Sequence, residues 1–110
     1  MTSIVNRPRV CDAISRRHLL QFRYTDNKVR VVEPHLAGEN TAHHDALLAW
    51  LVRSEAIDSS DPGGWRNYLF EEMHSVEILD ETFGRPRPDY NPNDRRMLRV
   101  YCSLPLLTLA

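Results

Sequence analysis

Leu20-Gln21-Phe22-Arg23-Tyr24, followed after a short gap by Val29-Arg30-Val31-Val32-Glu33-Pro34-His35-Leu36, decides the fold of this chain. Leu20, Phe22 and Tyr24 are separated by polar residues, which is the period of a half-buried strand. Asp26-Asn27 supplies a turn, and the β-rich run beyond it carries a proline at position 34. The two runs read as a hairpin that opens a small β-barrel.

The rest of the chain extends this reading. Pro8 suits the first turn of a helix. Val10, Ala13 and Ile14 form an apolar stripe at helical spacing with Arg16 and Arg17 outside it, so a helix is expected over about 8–18. Strands are expected over 20–25 and 28–38, with a bulge or bend at Pro34 because proline cannot serve a central ladder. Residues 38–44 read as a polar loop and 46–52 as a buried strand. Residues 54–64 are rich in Ser, Asp, Pro and Gly and read as a mobile surface loop. Further strands are expected at 65–70, 76–79 and 98–102, with one helical turn at 71–74 and a Pro-rich extended arm at 84–92. The fold class is mainly β with one N-terminal α-helix, a small β-barrel of five to six strands. The core spans about 8–83, followed by the arm 84–92 and a C-terminal strand and tail at 97–110.

A chain of 110 residues accommodates one core. No apolar run approaches membrane-spanning length. Met1 to Arg9 lacks the apolar segment of a signal peptide, so a cytoplasmic protein is expected. On that basis Cys11 and Cys102 are expected to be free thiols rather than a pair. The net charge of −1 conceals an asymmetry: residues 1–32 hold seven cations and two carboxylates, residues 33–84 two and eleven, residues 85–110 five and two. The two basic ends are candidates to meet in the fold. Thirteen of the fourteen cations are arginine, the side chain suited to gripping phosphate or carboxylate with two nitrogens, although a GC-rich genome produces the same bias.

Several site types fail on spacing. His43-His44-Asp45 with His35, His74, Cys11 or Cys102 lacks metal-ligand spacing, and adjacent histidines point to opposite sides of an extended chain. There is no nucleophile elbow and no phosphate loop, since Gly63-Gly64 is not followed by lysine. The pairs Glu71-Glu72 and Asp80-Glu81 read as solvated charges. No enzyme, metal or cofactor is therefore expected. Trp65-Arg66-Asn67-Tyr68 is more informative. On a strand Arg66 and Tyr68 share one face and Trp65 takes the other. An arginine beside an aromatic ring stacks a base and grips a phosphate; alternatively Trp65 is core and Arg66 satisfies acidic neighbours. Tyr24, Arg23 and Arg30 form a second mixture of the same kind on the first hairpin.

These elements in this order resemble the WYL domain family. The likeness covers about residues 10–83: Ala13-Ile14 on the helix, Phe22-x-Tyr24, Arg30-x-Val32-x-Pro34-x-Leu36, a core strand, Trp65-Arg66-x-Tyr68-x-Phe70, and Val76 to Phe83. Asp89-Tyr90-Asn91-Pro92-Asn93-Asp94 is similar to the tail of a short, stand-alone bacterial subgroup. The resemblance implies an Sm-like barrel and a ligand-sensing or regulatory role, often toward nucleic acid or nucleotide in transcription regulators. The chain departs from the family at three points. Ala46-Leu47-Leu48 stands where the Trp-Tyr-Leu triad would fall, Leu69 and Glu72 replace two family arginines, and a stand-alone copy without the family's helix-turn-helix is expected. The expectation is a non-enzymatic module binding a nucleotide or single-stranded nucleic acid through Arg66, Tyr68, Arg30, Tyr24 and Arg23. The alternative is a structural or partner-binding module, with the apolar tail Leu104 to Leu109 joining a homodimer.

Overall fold

The computed structural model describes residues 2–55 and 63–106, with side chains from residue 6 onward. The centre of the loop at 54–64 and the last residues of the tail lie outside the described residues. Helix α1 (Thr2–Arg16) leads into β1 (His18–Arg23) and β2 (Val29–Asn40), then β3 (Asp45–Ser54) and β4 (Gly64–Leu69). A 3-10 turn (Phe70–Glu72), β5 (His74–Thr82) and β6 (Met97–Ser103) complete the chain. Among the described residues no helix is long and apolar enough to cross a membrane.

All ladders are antiparallel, in the order β4-β3-β2-β1-β5, with β6 also paired to β2. The mainly β fold with one N-terminal helix stands as expected. Closure into a barrel does not: among the described residues the ladders end at β4 on one side and β5 on the other.

Pro34 shows how one long strand serves several partners. On one side β2 pairs with β3 along its length, with a register shift between Pro34 and Leu36. On the other side β1 takes Val29 to Val32 and β6 takes Leu36 to Asn40. Pro34 falls in the gap between those two neighbours, where its missing N–H leaves no ladder bond unmade. The expected bend is there, and it is the handover point between β1 and β6.

Helix α1 begins earlier than the proline suggests, with Pro8 inside it rather than in its first turn. The preceding turn is anchored from its side chain: buried Asn6 donates through Nδ2 to Phe70 O at 3.1 Å and Met73 O at 3.0 Å. Val10, Ala13 and Ile14 are fully covered, as the stripe predicts, and pack with Leu20, Phe22, Val32, Leu36 and Leu47 in the core. The basic ends of the chain do meet. Helix α1 is joined to β6 by a disulfide between Cys11 and Cys102, 91 residues apart, which corrects the expectation of free thiols. Sequence spacing could not show this pairing, because only the antiparallel placement of β6 beside β2 brings residue 102 under the helix. Arg7, over the Tyr101 ring at 3.7 Å, and its ion pair with Asp45 at 3.3 Å close the same seam.

Candidate functional site

Successive side chains of a strand alternate between faces, and β1, β2 and β4 use that alternation to build two different surfaces. Phe22 lies directly across from Arg30 in the β1–β2 ladder. Tyr24 follows Phe22 on the same face, and Tyr68 arrives from β4. The three rings meet edge to face, Phe22–Tyr68 at 4.9 Å, Tyr24–Tyr68 at 5.0 Å and Phe22–Tyr24 at 6.2 Å. Such edge-to-face contacts place positive ring edges on negative ring faces and stabilise the cluster beyond simple burial.

Two guanidinium groups border it. Arg30 sits over the Tyr24 ring at 5.8 Å and donates to Asp26 Oδ1 at 2.8 Å, leaving its side chain 15% exposed. This hydrogen bond holds the Asp26 carboxyl below its ordinary range. Arg66 is half-buried and donates through Nη1 to its neighbour Trp65 O at 2.9 Å and to Gly63 O at 3.4 Å. Gly63 and Gly64 both have positive φ, and a Cβ at Gly63 would lie 2.5 Å from Leu51 O, so the corner that delivers Arg66 needs glycine there.

Tyr68 itself is 4% exposed. Burial pushes its hydroxyl up to about 12, while the positive charges of Arg30 and Arg66 pull the other way. Tyr24 is half-buried and its hydroxyl accepts the Leu69 N–H at 3.0 Å. The structure therefore brings Arg66, Tyr68, Arg30 and Tyr24 together, with Tyr68 as an inner wall and Tyr24 and the two arginines at the border. Arg23 is not part of this group. Its alternation places it on the opposite face, where it donates to Asn27 O at 2.7 Å and lies 4.0 Å from Glu55.

That opposite face holds an assembly that the sequence did not reveal. His35 is fully buried among Trp65 (4.8 Å), Phe83 (5.5 Å, stacked) and Tyr90 (5.2 Å), and Trp65 also meets Trp50 at 5.4 Å. Both imidazole nitrogens are engaged. Nδ1–H donates to Glu33 O at 2.8 Å and Nε2 accepts the Arg87 backbone N–H at 3.1 Å, which defines a neutral ring. Burial lowers the His35 pKa, opposed by its hydrogen bond to Glu33.

Arg87 grips Glu33 with two nitrogens, at 2.7 and 2.8 Å, and lies over Trp50 at 5.0 Å. Trp65 Nε1–H donates to Pro88 O at 2.8 Å. Tyr90 OH donates to Leu104 O at 2.7 Å and lies 3.2 Å from His35 O. The Pro-rich arm is thus a strap, fastened across the far face by His35, Glu33 and Trp65. His35, raised in the sequence only as a possible metal ligand, has Nε2 committed to this strap and Nδ1 to Glu33 O on its own strand. The one sequence signal was the occurrence of Arg87 and Tyr90 in an otherwise extended arm.

No family model, no curated protein and no solved structure matches this chain.

Proposed function

We propose that this domain is a non-enzymatic, regulatory ligand-sensing module of WYL type. On this reading its open sheet is a relative of the Sm-like small barrel, and its ligand is a nucleotide or a short single-stranded nucleic acid. The observation that carries the reading is the convergence of Arg30 and Arg66, from different strands, on one cluster of Phe22, Tyr24 and Tyr68. Arg66 contacts phosphate, Arg30 adds charge, and Tyr24 offers the accessible ring for a base, with buried Tyr68 supporting it from behind. Arg23, on the other face, contributes only to the general field.

The test is a fluorescence anisotropy titration of labelled single-stranded DNA and RNA at low and moderate salt. Wild-type protein binds saturably and weakens steeply with salt, and Arg66→Ala binds more weakly. Equal binding by Arg66→Ala removes that residue from the site, and no binding at low salt refutes the nucleic-acid reading.

A second reading, a homodimer, is favoured by β6. Leu98 and Val100 are 56% and 42% exposed there, and Leu106 beyond it is 56% exposed. Among the described residues β6 pairs only with β2, which leaves its other edge open. Leu104 belongs to the domain itself: it is buried and its N–H donates to His35 O at 2.9 Å. Light scattering on the full chain, on a chain ending at residue 104, and on Leu98→Glu distinguishes the cases. A monomer in all three refutes the dimer.

A further inference from the structure

The strap does more than cover the far face. With the end of α1 and the start of the tail it borders an open cleft of about 620 Å³, lined by Pro86, Tyr90 and Leu106 and by the arginines Arg17, Arg85 and Arg87, with Asp89 as the one carboxylate. This volume lies within the range that holds small-molecule ligands, and half of the lining residues are charged, three of them arginine. We propose that this cleft is a binding site for a small organic phosphate, separate from the Arg66 patch and independent of the function proposed above.

The three arginines of the cleft are each held differently. Arg17 donates through Nη1 to Gly84 O at 3.1 Å, which places its guanidinium beside the residue preceding Arg85. Arg87 uses Nε and Nη2 on Glu33, which leaves Nη1 outside that pair. The Arg85 side chain is exposed and makes no hydrogen bond or ion pair among the described residues. Three cations against Asp89 and Glu33 leave the cleft formally positive. They come from the helix end and from alternate positions of the strap. A tetrahedral phosphate accepts donors from several directions, whereas a single guanidinium fork suffices for a planar carboxylate.

The strap is also tied down at several points. Pro86 and Pro88 restrict its backbone, and its carbonyls and amides are tied to Trp65 and His35 at 2.8 and 3.1 Å. A preorganised site of this kind loses little freedom on binding. Tyr90 and Pro86 would cover the apolar body of the ligand while Arg85 and Arg17 meet its phosphate.

The Trp65 indole N–H, bonded to Pro88 O, is a ready reporter for a two-dimensional NMR titration with phenyl phosphate, with phenol as the uncharged control. Phenyl phosphate is expected to shift the Trp65 indole and the amides of Arg85, Arg87 and Tyr90 saturably. Phenol should not do so. Arg85→Ala should weaken binding about tenfold, the loss of one charge-assisted contact, and Arg66→Ala should leave it unchanged. The proposal is overturned by the absence of saturable shifts, by equal binding of phenol, by insensitivity to Arg85→Ala, or by a loss that follows Arg66→Ala instead.

Discussion

On one face of β4, Tyr68 packs against Phe22 and Tyr24 with Arg30 and Arg66 at the border. On the other, Trp65 packs against His35, Trp50 and Tyr90 while Arg87 is clamped by Glu33. Both faces mix arginine with aromatic rings, the composition that suggests ligand binding. They differ in how the polar atoms are satisfied. The His35 face is closed: His35 Nε2, the Trp65 indole, the Tyr90 hydroxyl and the Glu33 carboxylate each have a partner from a distant segment, and His35 Nδ1–H is satisfied by Glu33 O on its own strand. The arginines of the Arg66 face are bonded locally: Arg66 donates to carbonyls of its own corner, and Arg30 donates to Lys28 O and the Asp26 carboxylate of its own turn. Residue type alone does not separate a site from a lock; the source of the partners does.

If that division is right, substitutions on the His35 face should cost stability and those on the Arg66 face should cost binding. The largest effect is expected from the Cys11–Cys102 pair, which fastens α1 to the strand whose extension carries Leu104 to His35. Closing a loop of 91 residues contributes about 4.6 kcal/mol in the chain-entropy account. Urea unfolding with and without reductant measures this, and a transition unmoved by reductant would show that the seam is held by packing alone. A cytosolic pool would keep these thiols reduced, so the same experiment reports the stability available in the compartment expected from the sequence.

Tyr90→Phe comes next. It removes one hydroxyl and leaves the buried carbonyls of Leu104 and His35 without that donor, a cost of about 1–3 kcal/mol. The same chemical-denaturation measurement checks it, and an unchanged midpoint would mean that the strap is not fastened through Tyr90.

The pH dependence should be smaller and has a defined sign. In the unfolded chain His35 titrates near its ordinary 6.5, and in the fold burial holds its pKa lower. As pH falls the unfolded state binds that proton first, so stability should decline from about 6.5 downward until the folded value is passed. Glu33, Arg87 and Tyr90 are the ionisable groups around the ring. The carboxyls of Asp26, Asp94 and Glu81 lose their contribution only below their ordinary 3.8 and 4.5, so the windows are separate. Thermal unfolding from neutral pH toward 5 should show the slope in wild type, and His35→Gln should flatten it. A wild-type curve flat over that window would refute the buried neutral imidazole.

The smallest effect is expected at Arg23, whose contact with Glu55 spans 4.0 Å at an exposed position. Arg23→Ala should change stability by no more than about 0.5 kcal/mol. A larger loss would show that the hairpin turn depends on its bond to Asn27 O.

These contrasts follow what sequence could and could not convey. The helix stripe, six strands and the turn after β4 were legible because their period is local: Leu20, Phe22 and Tyr24 alternate within one strand. The pairing of Arg66 with Tyr68 was legible for the same reason. The placement of Arg23 beside Arg30 was not, because the two sit on opposite faces of the hairpin once Phe22 is set across from Arg30. The arm at 84–92 was legible as extended chain with Arg87 and Tyr90 in it, but what it fastens to was not. Its bonds join residue 33 to 87, 35 to 87, 65 to 88 and 90 to 104, and no window of sequence contains such partners. The open sheet was missed on similar grounds, and the disulfide was set aside on the expected compartment, while its geometry depends on where β6 is placed.

The most direct test of the account is the salt dependence of single-stranded nucleic-acid binding by wild type and Arg66→Ala, measured side by side. The account predicts saturable wild-type binding at low salt and a logarithmic salt slope shallower by about 0.7 in the variant, the loss of one phosphate contact. The absence of wild-type binding, or an identical slope in both proteins, would contradict it.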